Sequence, residues 1–176
     1  MIEDFAHRLT LDRIRDGERI DLVADDNERK AVAERLGLAS LDRLEAHATL
    51  SRDGQTVRAS GRVGASLEQR CVVTGEPVSE HVDEAFDIAF IAEPASGRPD
   101  EEIELGAQDC DLVFHDGASI DLGAAIADTL ALGINPYPRS AGAEAALKEA
   151  GVISEEEAGP FGALAQLREK LGGSGS

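Results

Sequence analysis

Cys71 is the first residue whose type could do chemistry, with His81 ten positions on as a base that could approach across a hairpin. A thiolate beside an imidazole is a nucleophile pair. The alternation around Cys71 argues for a quieter role. Val63, Ala65 and Leu67 share its parity and face inward, so Cys71 is expected to pack as a small hydrophobe with a raised pKa. Asp109, Cys110, Asp111, His115 and Asp116 form a second dense set. A hard cation could use the carboxylates, but zinc wants Cys and His at better-matched spacing. The acids beside Cys110 disfavour its thiolate, and the set is expected to be a solvated loop edge. Arg139 closes the stiff run Asn135-Pro136-Tyr137-Pro138. Its guanidinium either bonds a local carboxylate or is presented to a partner, a phosphate included. The chain contains no Gly-rich phosphate loop, HExxH, GxSxG or paired CxxC.

The charge around these residues is uneven. Of a formal net charge of −18, residues 71–176 carry −16, with 5 Lys/Arg against 21 Asp/Glu. Between Cys71 and Pro138 the sole basic side chain is Arg98, among 15 carboxylates. Such a segment repels phosphates and attracts cationic partners. Direct binding of a nucleic-acid backbone there is not expected, because that affinity comes from Lys and Arg displacing counterions. Aromatics for base stacking are scarce: five Phe, one Tyr and no Trp. No apolar run approaches the ~20 residues of a membrane span, and the N-terminus MIEDFAHRL has no signal pattern. Two distant cysteines make no disulfide framework. A soluble, reduced, cytoplasmic protein without membrane contact is expected.

The elements follow from periodicity. Residues 5–24 read as extended, broken at Asp16-Gly17. Asp25-Asp26-Asn27 can cap a helix that Gly37 ends. Leu44, Ala46, Ala48 and Leu50 alternate with polar residues. A turn at Arg52-Asp53-Gly54-Gln55 then leads into Val57, Ala59, Gly61, Val63, Ala65 and Leu67 on one parity. After a turn at Thr74–Pro77, Val82, Phe86, Ile88 and Phe90 mark a third strand. These runs predict an antiparallel meander with Val57, Val63, Leu67, Cys71, Phe86, Ile88 and Phe90 on its inner face. Residues 92–102 read as a mobile acidic loop, and Ile103–Leu105 and Leu112–Phe114 as short strands. Asp121 caps a helix that must stop before Pro136. Residues 143–150 favour helix, and Phe161, Leu164, Leu167 and Leu171 line one side of a last helix. The tail GGSGS is set apart from the fold.

Several separated motifs now stand together: Glu28-Arg29, QRCVVTGEP at 69–77, IDLGAAIADTLAL at 120–132, PYPR at 136–139 and PFGALAQL at 160–167. In order and spacing the chain resembles the YceD family, the large ribosomal RNA subunit accumulation proteins, over roughly residues 5–171. The resemblance implies a non-enzymatic part in the accumulation, processing or stability of large-subunit ribosomal RNA. It also implies a gene often placed beside one for a small basic protein of the large ribosomal subunit. Many relatives carry CxxC in the middle motif, which suggests zinc. Here Thr74 stands where the second cysteine would be, so zinc is not carried over and no cofactor is expected.

The expected fold is α+β, a mainly antiparallel curled sheet, barrel-like, with two or three packed helices. Residues 1–140 are read as the core domain and 141–176 as a helical, partly flexible acidic tail. No catalytic or metal-binding residue is assigned. Gln69, Arg70, Thr74, Asp121, Tyr137 and Arg139 are chosen as partner-binding residues for their motifs and polarity. The expected partner is a basic ribosomal protein or the pre-ribosomal large subunit. RNA contact through the near-neutral N-terminal third, where Arg8, Arg13, Arg15 and Arg19 could gather on one side, stays open. A general acidic adaptor and a thiol- or metal-dependent enzyme are the alternatives.

Overall fold

The structure, a computed structural model, describes residues 5–93 and 110–152. The expected strand at Ile103–Leu105 and the helix of Phe161, Leu164, Leu167 and Leu171 lie outside those residues, as does nearly all of the expected loop at 92–102. In chain order the elements are β1 (Arg8–Thr10), a 3-10 turn (Leu11–Arg13), β2 (Glu18–Val23), α1 (Asp26–Leu36), β3 (Ser40–Asp53) and β4 (Thr56–Arg70). They continue with β5 (Pro77–Ala92), β6 (Asp111–His115), β7 (Ser119–Asp121), α2 (Leu122–Gly133) and α3 (Ala143–Glu149).

Local chemistry sets the helix ends. The Asp25 carboxylate accepts the Asn27 and Glu28 N–H groups at 2.8 and 2.9 Å, while the Glu28 carboxylate accepts the Asp25 N–H at 2.8 Å. This reciprocal pair satisfies N–H groups that have no partner inside the helix. Gly37 then ends α1 in the left-handed conformation. Asp121 caps α2 by accepting the Ala124 N–H at 3.0 Å.

β2 to β6 form one five-stranded sheet in the order β2-β3-β4-β5-β6. β2 and β4 flank β3 in antiparallel register, with Ala46 opposite both Leu22 and Val63. β6 runs parallel to β5, Ile88 opposite Asp111 and Ile91 opposite Phe114. β1 and β7 make a separate antiparallel pair, Arg8 opposite Asp121. One face of the sheet buries Leu44, Leu50, Val57, Val63, Leu67, Phe86, Ile88 and Phe90. The same core takes Val32 from α1, which lies against β3, and Leu122, Ile126 and Leu130 from α2, which lies against β5. Each such fully buried side chain stabilises the fold by about 1.5–3 kcal/mol. The opposite face carries cross-strand ion pairs, Arg58 with Asp87 and Arg62 with Asp83, and a bond between Ser66 and His81 at 3.0 Å.

Two expectations change. The α+β class holds, but the sheet is open and is not a barrel. Among the described residues β2 and β6 are its two edges, and the face a barrel would have rolled inward is covered by α1 and α2. Closing a barrel needs the edge strands to pair with each other. Cys71 also leaves the inner face. β4 ends at Arg70, so the parity that reaches Leu67 has no strand to carry it further, and Cys71 is buried outside the sheet's core cluster.

Contacts divide the chain into two units. One is Met1–Gln69 with Pro77–Pro136, and the other is Arg70–Glu76 with Tyr137–Ser176. No helix among the described residues is long and apolar enough to cross a membrane.

Candidate functional site

The smaller unit brings the middle motif and the PYPR segment together. The Cys71 N–H donates to the Glu76 carbonyl at 2.7 Å and the Gly75 N–H to the Cys71 carbonyl at 2.9 Å, closing a tight turn. The Val72 N–H donates to the Pro138 carbonyl at 2.9 Å. On both segments exposure alternates. Arg70 and Val72 are exposed and Cys71 between them is buried; Tyr137 and Arg139 are exposed and Pro138 between them is buried. The inward pair anchors the turn, and the outward positions present two guanidiniums, a ring and an apolar side chain. Tyr137 is 72% exposed and Val72 56%. Aromatic and Arg side chains are the types that carry most interface energy.

Cys71 sits in a cradle of donors. Its Sγ accepts the Ser140 N–H at 3.2 Å and the Thr74 N–H at 3.4 Å. Burial opposes the thiolate, but the hydrogen bonds from Thr74 and Ser140 outweigh it and bring the pKa from 9.0 to about 6. The expected rise is therefore reversed: donors from Thr74, three positions on, and from Ser140, 69 positions on, act on one sulfur. The Thr74 hydroxyl donates to Glu76 at 3.0 Å and lies 3.1 Å from the Ser140 hydroxyl. The Ser140 and Thr74 hydroxyls hold the Glu76 carboxyl below its ordinary range. His81 makes its bond to Ser66, on the other unit.

The sign of the Cys71 effect is testable. A thiol whose pKa is depressed on folding adds stability that is full above its unfolded value and is lost as pH falls through the folded one. The stability of the wild type relative to Cys71→Ala should therefore grow from about pH 6 to about pH 9, read in urea titrations. Thiolate absorbance of a Cys110→Ser protein should titrate near 6. A midpoint near 9 would contradict the cradle.

Of the residues chosen from sequence, Arg70, Thr74, Tyr137 and Arg139 belong to this unit. Gln69 and Asp121 belong to the other and have bonding roles there. The Gln69 amide donates to Glu80 at 2.8 Å and to the Asn135 carbonyl at 2.9 Å, and the Asn135 N–H reaches Glu80 at 2.9 Å. This ties the exit of α2 to the start of β5. Asp121 accepts the His7 N–H at 3.1 Å as well as capping α2. Val72, not among the residues chosen from sequence, is exposed between buried Cys71 and half-buried Val73.

The other chemical candidates are engaged locally. The His115 imidazole is buried, with Nε2 2.8 Å from the Gln55 carbonyl and Nδ1 accepting the Gly117 N–H at 3.0 Å. Both ring nitrogens are used. Asp116 accepts the Ala118 and Ser119 N–H groups. Among the described residues no cluster of three or more His, Cys, Asp or Glu could hold a metal ion. At the middle motif the Thr74 hydroxyl is bonded to Glu76. The N-terminal arginines are on different elements. Arg8 lies 3.8 Å from Asp121 on β1, Arg13 and Arg15 share a depression with Asp12, Asp16 and Glu18, and Arg19 is on β2 of the other sheet.

No curated protein matches the chain, and no solved structure matches it. A family model described as large ribosomal RNA subunit accumulation protein YceD matches residues 59–168. That span is more than half of the chain. It holds the Cys71 turn, the Asp121 cap and the PYPR segment packed against the turn. The motif order and the family match agree, and the chain belongs to the YceD family of large ribosomal RNA subunit accumulation proteins.

Proposed function

We propose that this protein supports large-subunit ribosomal RNA accumulation without catalysis, by holding a basic ribosomal protein, free or within the pre-ribosomal large subunit, in the cytoplasm. The family name supplies the large-subunit RNA role. The observation that carries the mechanism is the charge of −16 on residues 71–176. A body so charged is poorly suited to gripping phosphates and well suited to steering a cationic protein. The exposed side chains of Arg70, Thr74, Tyr137 and Arg139, with Val72, are proposed as a contact surface of the smaller unit. No resident metal or cofactor is assigned.

Affinity purification of the full-length protein from growing cells, with mass spectrometry and RNA sequencing of one sample, tests this. A basic large-subunit protein should be recovered, and its yield should fall steeply as salt shortens the Debye length below about 8 Å. Recovery of ribosomal RNA without any basic ribosomal protein would refute the reading. Sedimentation of ribosomes from cells lacking the protein separates this role from that of a general acidic adaptor: only the assembly role predicts a large-subunit deficit.

A further inference from the structure

Within the larger unit a groove of about 380 Å³ opens between β6, β7 and α2. Phe90, Val113, Ile120 and Ala125 give it an apolar lining. Phe114, 56% exposed, and the carboxylates of Asp116, Asp121 and Asp128 line it as well, with Arg8 and the His115 imidazole among the described residues. Two of these acids are held in place. The Ala118 and Ser119 N–H groups fix Asp116 and lower its pKa, and Asp121 is bound by the His7 and Ala124 N–H groups. Asp128 is exposed, 3.4 Å from Arg35. Beside this groove, among the described residues, β6 is an edge strand, paired on one side to β5.

We propose that this groove seats an extended segment of a basic partner protein. The segment adds to β6 on the side away from β5, one apolar side chain enters over Phe90, Val113 and Ile120, and flanking Lys or Arg side chains meet Asp116 and Asp128. The inference rests on the reading that the partner is a basic protein, and it locates the contact. Three features together select this occupant. An edge strand offers main-chain donors and acceptors to an extended chain. The volume is at the small end of the ~300–1,000 Å³ of ligand pockets, which suits one or two side chains. The carboxylates repel a polynucleotide and attract Lys and Arg.

The test uses the full-length chain and salt-stripped proteins of the large ribosomal subunit, with captured proteins identified by mass spectrometry. Wild type should capture a basic ribosomal protein. Phe114→Ser with Asp128→Lys, and Asp128→Lys alone, should weaken that capture, the double variant at least ~tenfold, an interface-anchor effect. Asp42→Lys, which makes the same charge change at an exposed position outside the groove, should stay within about twofold of wild type. Bound partner should also slow hydrogen exchange at the β6 amides that face away from β5. If wild type captures no basic protein, the reading of the partner fails. If wild type captures one and the groove variants capture it equally, the groove is not the site. Exchange already slow without partner would place another segment of this chain on the edge, and slowing with protein concentration alone would place a second copy there. Either result overturns the proposal.

Discussion

Gly61→Ala is expected to destabilise the protein by more than about 3 kcal/mol, enough to remove much of the margin of a domain this size. Gly61 lies in the middle of β4, opposite Ala48. A Cβ at Gly61 would fall 1.8 Å from the His47 carbonyl oxygen and 2.9 Å from its carbon. Those atoms are backbone, and the ladder of β3 and β4 holds them on both sides, from Ser40 opposite Glu68 to Asp53 opposite Thr56. The strand pair would have to separate locally, exposing Val57, Ala59 and Val63, which are fully buried. Urea unfolding of the two proteins measures the loss. Glycine in a strand otherwise weakens it, so a neutral or stabilising result would mean that the close approach is not present in solution.

Gly123→Ala is the second large effect, expected at about 3 kcal/mol. Gly123 is in the first turn of α2, and a Cβ there would meet the Phe5 carbonyl oxygen at 2.2 Å and the His7 nitrogen at 2.8 Å. On helix propensity alone alanine would gain about 1 kcal/mol, so the sign of the measured change decides between propensity and contact. The contact is built by the neighbouring residues. The Leu122 N–H donates to the His7 carbonyl at 3.0 Å, and the Asp121 carboxylate accepts the His7 N–H at 3.1 Å. Asp121, Leu122 and Gly123 thus dock the first described residues of the chain against a helix start. Each residue of the DLG run therefore has a bonding or packing role at this helix start. Asp121→Ala should cost about 1 kcal/mol as a lost cap, and Asp121→Asn less, since an amide oxygen still accepts. Large-subunit accumulation in cells should follow the stability of these variants. A Gly123→Ala protein as stable as wild type but inactive would give the motif a second role.

Among the partner-binding residues chosen from sequence, the structure separates two kinds. Arg70, Thr74, Tyr137 and Arg139 are on the unit formed by the turn and the PYPR segment. Gln69 and Asp121 bond within the other unit. A polar residue in a motif looks the same in sequence whether it caps a helix or faces solvent. Gln69 bonds Glu80 and Asn135, and no local pattern around residue 69 announces a carbonyl 66 positions on.

What the sequence by itself determined lies within short windows. The Asp25/Glu28 box and Gly37 bound α1, alternation wrote the inner faces of β3 and β4, and Asp121 and the prolines after Asn135 bracketed α2. The uneven charge, too, was complete in the sequence. Tertiary structure alone decided that β6 runs parallel to β5, that β1 pairs with β7, that the sheet stays open under two helices, and that the Cys71 sulfur meets N–H donors from Thr74 and Ser140. Each of these joins residues far apart in the chain, as Arg8 with Asp121 or Cys71 with Ser140. Side-chain period and capping chemistry act over a few residues. They state which face is apolar but not which distant backbone group will meet it.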